Sequence, residues 1–170
     1  MCHLSPRARA LSLLVTAAVV LGIAACSDDD DPVVASDPVF VATLAGANER
    51  PNPVTTAASG TATVTVSGGT ATYVVTYSGI NGTPTGSHIH APGSASQTAS
   101  VIVDFPRTTA TASSGTLTGS FTAADIRAPA GQTPMSMDSL VTLMRSGNAY
   151  VNVHTSVNAG GEIRGQLNPR

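Results

Sequence analysis

The sequence predicts an all-β fold, an antiparallel β-sandwich of about eight short strands with one short helix. Three observations carry this. Apolar and polar residues alternate with a period of two over short stretches, which sends one set of side chains inward and the other outward. The same stretches are rich in Thr and Val, whose β-branched side chains suit a pleated surface. Gly-containing turns separate them at the regular spacing of a sandwich.

The elements follow in order. Val39 to Ala45 reads as a strand, and Gly46 to Ala58, with Pro51 and Pro53, as a loop. Gly60 to Val66 sets Thr against Ala and Val; Gly68-Gly69 turns the chain, and Thr70 to Tyr77 returns it as a hairpin. Ser78 to Pro84 is turn-rich. Gly86 to Ala91 is a short strand, Pro92 to Thr98 a loop, and Ala99 to Phe105 a strand. Thr108 to Ser114 carries little pattern. Gly115 to Phe121 is a strand, and Thr122 to Ile126 starts as a short capped turn. The helix is predicted over Ser139 to Ser146. Asp138 is its N-cap, Leu140, Leu143 and Met144 its apolar face, and Gly147 its stop. Tyr150 to Thr155 and Gly161 to Leu167 close the chain as a hairpin, entered through Gly160-Gly161. Strands in this arrangement suit Greek-key connections, and no internal repeat is evident.

The N-terminus reads as an address. Arg7 and Arg9 precede an apolar run, Leu11 to Leu21, that is too short to span a bilayer as a mature helix. Ile23-Ala-Ala-Cys26 then resembles a lipobox, so residues 1–25 are expected to leave as a signal peptide and Cys26 to carry lipid. Ser27 after it, rather than Asp, resembles an outer-membrane signal. The expected location is the bacterial cell envelope, extracytoplasmic, with the membrane reached through the lipid. Residues 26–38, with Asp28 to Asp31, Pro32 and Pro38, read as an acidic tether, and residues 39–170 as the folded domain.

Composition narrows the function. The only cysteines are Cys2 and Cys26, so the mature domain has no disulfide and is held by its core alone. The chain has no Lys and a formal net charge of −2, which argues against nucleic acid as a partner. It has no Trp and few other aromatics, which argues against a stacking carbohydrate site. No nucleophile triad, phosphate loop, dinucleotide motif or Cys-based zinc spacing is present.

The chemistry concentrates on two strands. His88 and His90 stand two apart, so both imidazoles leave the same face about 6–7 Å apart along the strand. His154 shares its face with Tyr150 and Asn152. If the two strands are neighbours, the three imidazole nitrogens could converge to about 3–4 Å and hold zinc or copper. Asp104 or Glu162 could add an oxygen ligand or a supporting partner. The alternative is a hydrogen-bonded structural His pair, with His154 capping the hairpin. Glu162 and Arg164 would oppose the Asn152 and His154 face across the hairpin. They read either as a recognition surface or as a cross-strand polar ladder worth less than about 1 kcal/mol per pair.

Several blocks together resemble a known family. They are Phe40 to Pro53, Gly86-Ser-His-Ile-His-Ala-Pro92, Gly115 to Phe121, Leu143 to Thr155, and Gly161-Glu-Ile-Arg-Gly-Gln166. Over about Val39 to Leu167 they look like the CHRD domain, first named for its copies in chordin and found singly in bacterial secreted proteins. Ala91 stands where the family often has Gly. The resemblance implies an extracytoplasmic β-rich domain and supplies no catalytic residues to carry over. The sandwich is expected to be immunoglobulin-like or superoxide-dismutase-like, and the role to be binding or structural in the cell envelope. A looser likeness to copper/zinc superoxide dismutase rests on the His-x-His strand. Too few His for two metals and the missing disulfide argue against dismutase activity and leave room for a single-metal site.

Overall fold

A computed structural model describes residues 37–106, 112–129 and 131–170. The leader, Cys26, most of the acidic tether and Arg107 lie outside the described residues. Among the described residues no helix is long and apolar enough to cross a membrane.

Among the described residues, nine strands form one antiparallel sheet: β1 (Val39–Ala45), β2 (Ser59–Ser67), β3 (Thr70–Ser78), β4 (Pro84–His90), β5 (Val101–Phe105), β6 (Gly115–Thr122), β7 (Tyr150–Thr155), β8 (Ile163–Gln166) and β9 (Asn168–Pro169). Their order is β5-β4-β7-β8-β1-β2-β3-β6, with β9 added beside β1. The steps from β3 to β6 and from β4 to β7 skip over other strands, as in a Greek key. The sheet curls until its ends meet. Tyr73 of β3 stacks on Phe105 of β5 with ring centroids 3.8 Å apart, although five strands separate them along the sheet. The all-β expectation holds, as a nearly closed eight-strand barrel or sandwich with one small added strand.

Period-two alternation sets the core. Phe40, Ala42 and Leu44 of β1 are buried, as are Ala62, Val64 and Val66 of β2 and Ala71, Tyr73, Val75 and Tyr77 of β3. Ile89, Val151, Val153 and Ile163 continue the same wall on β4, β7 and β8. On the opposite side of β2 and β3 the Thr residues remain in or near solvent, and Thr61 and Thr76 share a hydroxyl hydrogen bond at 2.7 Å across the strands.

The helix α1 spans Met137–Arg145, two residues earlier than expected. Its N-cap is Ser136, whose hydroxyl accepts from Ser139 N at 3.2 Å, not Asp138, which sits in the first turn. The buried face is accordingly Met137, Leu140, Val141 and Met144, spaced i, i+3, i+4 and i+7, while Leu143 is only partly buried. Gly147 ends the helix as expected, at φ +67.

The closing hairpin differs most from its sequence reading. Both faces are buried. Tyr150, Asn152, Glu162 and Arg164 are each at most 3% exposed. A period-two pattern says which residues share a face, but not whether a loop covers that face. Here two loops do. One follows β1 and includes Glu49 and Thr56; the other joins β4 to β5 through Gly93, Ser94 and Ala99. The polar face is therefore interior, and its hydrogen bonds are obligatory rather than marginal.

Candidate metal centre

Strands β4 and β7 are hydrogen-bonded neighbours, with Gly86 opposite His154, His88 opposite Asn152 and His90 opposite Tyr150. Directly opposed residues share a sheet face. The register thus gathers all three His, with Asn152 and Tyr150, on the loop-covered side. Ile89, Val151 and Val153 fill the core on the other side. Irregularities bracket the His strand. Its pairing with β7 shifts between Pro84 and Gly86, and its pairing with β5 shifts between Ile89 and His90. Such bulges re-aim side chains.

The ring contacts are close. His88 and His154 have centroids 4.8 Å apart, His88 and His90 5.7 Å, and His90 and His154 6.2 Å. One ligand nitrogen from each of the three comes within 4.8 Å of the others. Three nitrogens each about 2 Å from one ion stand about 3.4 Å apart. The cluster is thus somewhat wider than the separation expected from the sequence.

Each imidazole has a polar partner. His154 Nδ1 donates to Ala159 O at 2.9 Å, and its Nε2 is buried with no hydrogen-bond partner. His90 Nδ1 donates to Ala99 O at 2.9 Å, and its Nε2 lies 3.0 Å from Asn152 Oδ1. With Nδ1 protonated, that Nε2 carries the ring's one lone pair; a half-turn of the Asn152 amide would present it an N–H, a hydrogen bond that an ion bound at Nε2 would replace. His88 Nε2 lies 3.5 Å from Asp104 Oδ1, and Asp104 is in turn paired with Arg127. Backbone carbonyls and a carboxylate on the far ring nitrogen are the partners that orient metal-binding imidazoles.

Burial pushes the pKa of both His90 and His154 below the usual imidazole value. Hydrogen bonds to Ala99 and Asn152 partly oppose this for His90, while the charges of His154 and Arg164 reinforce it; the Ala159 bond partly opposes it for His154. Both are neutral at neutral pH, the form that binds metal. A cleft of about 520 Å³, lined in part by Gly86, His88, Asp104, His154 and Ala159, opens onto the cluster. His90 is 7% exposed.

The other sequence candidates divide. Asp104 reaches His88. Glu162 does not join the cluster. Its carboxylate accepts from Thr56 Oγ1 at 2.8 Å, Thr155 Oγ1 at 2.9 Å, and Asn81 N at 3.0 Å to each oxygen. Burial raises its pKa, but the hydrogen bonds outweigh that and hold the carboxyl below its usual value. It is a structural knot between two loops and β7. Arg164 pairs in register with Asn152, as expected, yet its guanidinium turns back over Tyr150. Sequence reasoning missed three features. Gly86 leaves room for the His88 ring, since a Cβ there would lie 3.2 Å from His88 Cε1 and Nε2. The carbonyls of Ala99 and Ala159 carry no side-chain signal. Glu49, in a stretch read only as a loop, is 3% exposed. Burial raises its carboxyl to about 7, against the pull of Arg164 and Arg50.

No curated protein and no solved structure matches the chain. A family model described as the CHRD domain matches residues 40–167, which runs from the second residue of β1 through β8 and includes His88, His90 and His154. The chain belongs to the CHRD domain family.

Proposed function

We propose that this protein is an extracytoplasmic binding domain whose ligand is a single transition-metal ion, zinc or copper, held by His88, His90 and His154. One observation carries the reading. The buried Nε2 of His154 has no hydrogen-bond partner, while its Nδ1 is anchored on Ala159. A buried imidazole nitrogen left with a free lone pair costs desolvation with no return inside the fold. It lies within reach of two further imidazoles on the neighbouring strand. Neutral nitrogen donors suit zinc and copper and suit calcium or magnesium poorly. When bound, such an ion supplies Lewis acidity or, for copper, electron transfer. The protein's share is to hold three imidazoles in place and to leave the His88 and His154 side open to the cleft.

The leader and lipobox read from the sequence complete the proposal. Cys26 anchors the domain by lipid in the bacterial envelope, at the outer membrane, with the acidic stretch from Asp28 to Asp31 as spacer. CHRD membership is consistent with an extracytoplasmic binding or structural role. The test is metal analysis of residues 27–170 after exposure to zinc and copper, beside a His88→Ala/His90→Ala variant. One ion per wild-type chain and none in the variant is expected. Equal metal content in both would sink the reading.

A further inference from the structure

The three-His reading leaves part of the same buried face unused. Arg164 is 1% exposed, and its guanidinium carbon lies 3.4 Å from the centroid of the Tyr150 ring. Tyr150 lies flat against His90, with centroids 4.7 Å apart and ring planes 3° from parallel. Guanidinium, phenol and imidazole therefore follow one another in a stack drawn from β8, β7 and β4. One residue ties the last two together. Ala99 N donates to Tyr150 Oη at 3.1 Å, and Ala99 O accepts from His90 Nδ1 at 2.9 Å. At the other end, Arg164 Nη2 donates to Ser94 O at 2.8 Å and to Gln166 Oε1 at 3.0 Å. The loop that supplies Ser94 and Ala99 is thereby fastened to all three members.

An apolar side chain at position 164 would fill this space without burying a cation, which is costly in a dry interior. A planar cation against an aromatic face is, however, a rigid way to fix that ring's position. The fixed Tyr150 ring leaves His90 one plane. The Ala99 carbonyl leaves it one tautomer, with the proton on Nδ1 and the lone pair on Nε2, which lies 3.0 Å from Asn152 Oδ1. Without the stack an imidazole at the end of a strand has a broad second torsion and two ring orientations.

We propose that Tyr150 and Arg164 are positioning residues for the metal-binding centre, holding the His90 imidazole in the plane and tautomer that present Nε2 to the position between His88 and His154. The inference rests on the three-His reading, and it assigns a role to two side chains that bind no metal themselves.

The test is a Zn²⁺ titration against a chromophoric chelator, with the full-length chain in detergent. It is joined to nitrogen NMR of the His90 tautomer in the metal-free protein. Tyr150→Leu is expected to weaken Zn²⁺ binding about 10–100-fold, the range for a residue that orients a ligand. It should also replace the single Nδ1–H tautomer of His90 by a mixture. Tyr150→Phe keeps the stack and is expected to restore most of the affinity. Arg164→Lys keeps the charge but loses the plane, and is expected to weaken binding about tenfold. It decides the question if the Leu variant does not fold. In a His90→Ala background, Tyr150→Leu is expected to have no further effect, because its influence passes through His90. Wild-type affinity and tautomer in both Tyr150→Leu and Arg164→Lys would overturn the proposal, as would an undiminished effect of Tyr150→Leu without His90. Failure of the wild-type chain to bind Zn²⁺ or Cu²⁺ would instead overturn the three-His reading, and this inference with it.

Discussion

The imidazole of His88 lies over the bare Cα of Gly86, so close that a methyl group on that carbon would stand 3.2 Å from both Cε1 and Nε2. Gly86 is also the residue opposite His154 on β7. The missing side chain at Gly86 thus makes room for the His88 ring on the same strand, beside the position that His154 faces.

Gly86→Val puts branched carbon where the ring of His88 sits. The expected result is a folded protein, since Val suits a strand, with metal affinity reduced about tenfold, as for other residues that orient ligands. Isothermal titration with Zn²⁺, beside a thermal melt, checks this. Unchanged affinity would mean that the space at Gly86 is incidental.

His154→Gln separates ligand from scaffold. His154 is half-buried and hydrogen-bonds to Ala159 O through Nδ1, so its loss should cost only about 1 kcal/mol of stability. Metal affinity should fall by more than about tenfold if His154 is a ligand. A variant that melts much earlier yet still binds zinc normally would reverse the assignment and make His154 a structural cap.

The strands were legible because Thr, Val and Ala alternate through Gly60 to Val66 and Thr70 to Tyr77, and the observed β2 and β3 exceed those stretches by only a residue or so. The helix start was misplaced because Ser136 and Asp138 are both competent caps. Only the burial of Met137 decides between them. The His cluster was half legible. His88 and His90 share a face by spacing alone, but their meeting with His154 depends on β4 pairing with β7 across more than sixty positions of sequence. No local pattern encodes that step. Glu49, Ala99 and the depth of Arg164 were invisible, because loop burial follows from how the sheet curls and not from periodicity.

Glu162 is fully buried and surrounded by donors from Thr56, Asn81 and Thr155. Glu162→Gln places an amide N–H against some of them and is expected to cost about 2–4 kcal/mol, the range for breaking a buried charge-assisted network. Urea unfolding at neutral pH measures it. The wild-type carboxyl titrates below its usual value, so its contribution is complete above about pH 4.5 and is lost as pH falls through the folded-state pKa. The gap between wild type and variant should therefore narrow in acid. A constant gap down to pH 3 would show that the charge is not what stabilises the knot.

The pH dependence near neutrality sets two effects against each other. His90 and His154 bind protons less readily in the fold than in the unfolded chain, where imidazole titrates near 6.5. As pH falls through that value the unfolded state takes up protons that the fold refuses, and stability drops until the lowered folded-state pKa values are passed. Glu49 acts in the opposite sense. Its carboxyl, raised to about 7 in the fold from 4.5, takes up a proton in the folded state first, so its contribution grows as pH falls from 7 toward 4.5. The net slope of the metal-free wild type between pH 5 and 7 therefore carries little information. The difference between wild type and a His90→Gln/His154→Gln variant removes the shared Glu49 share. The expectation is that the wild type loses stability relative to this variant as pH falls from 7.5 to 5.5. Melting temperatures in the presence of a chelator check it. Parallel curves over that range would mean that the two imidazoles are not held neutral by the fold, and would remove the electrostatic support for reading them as ligands.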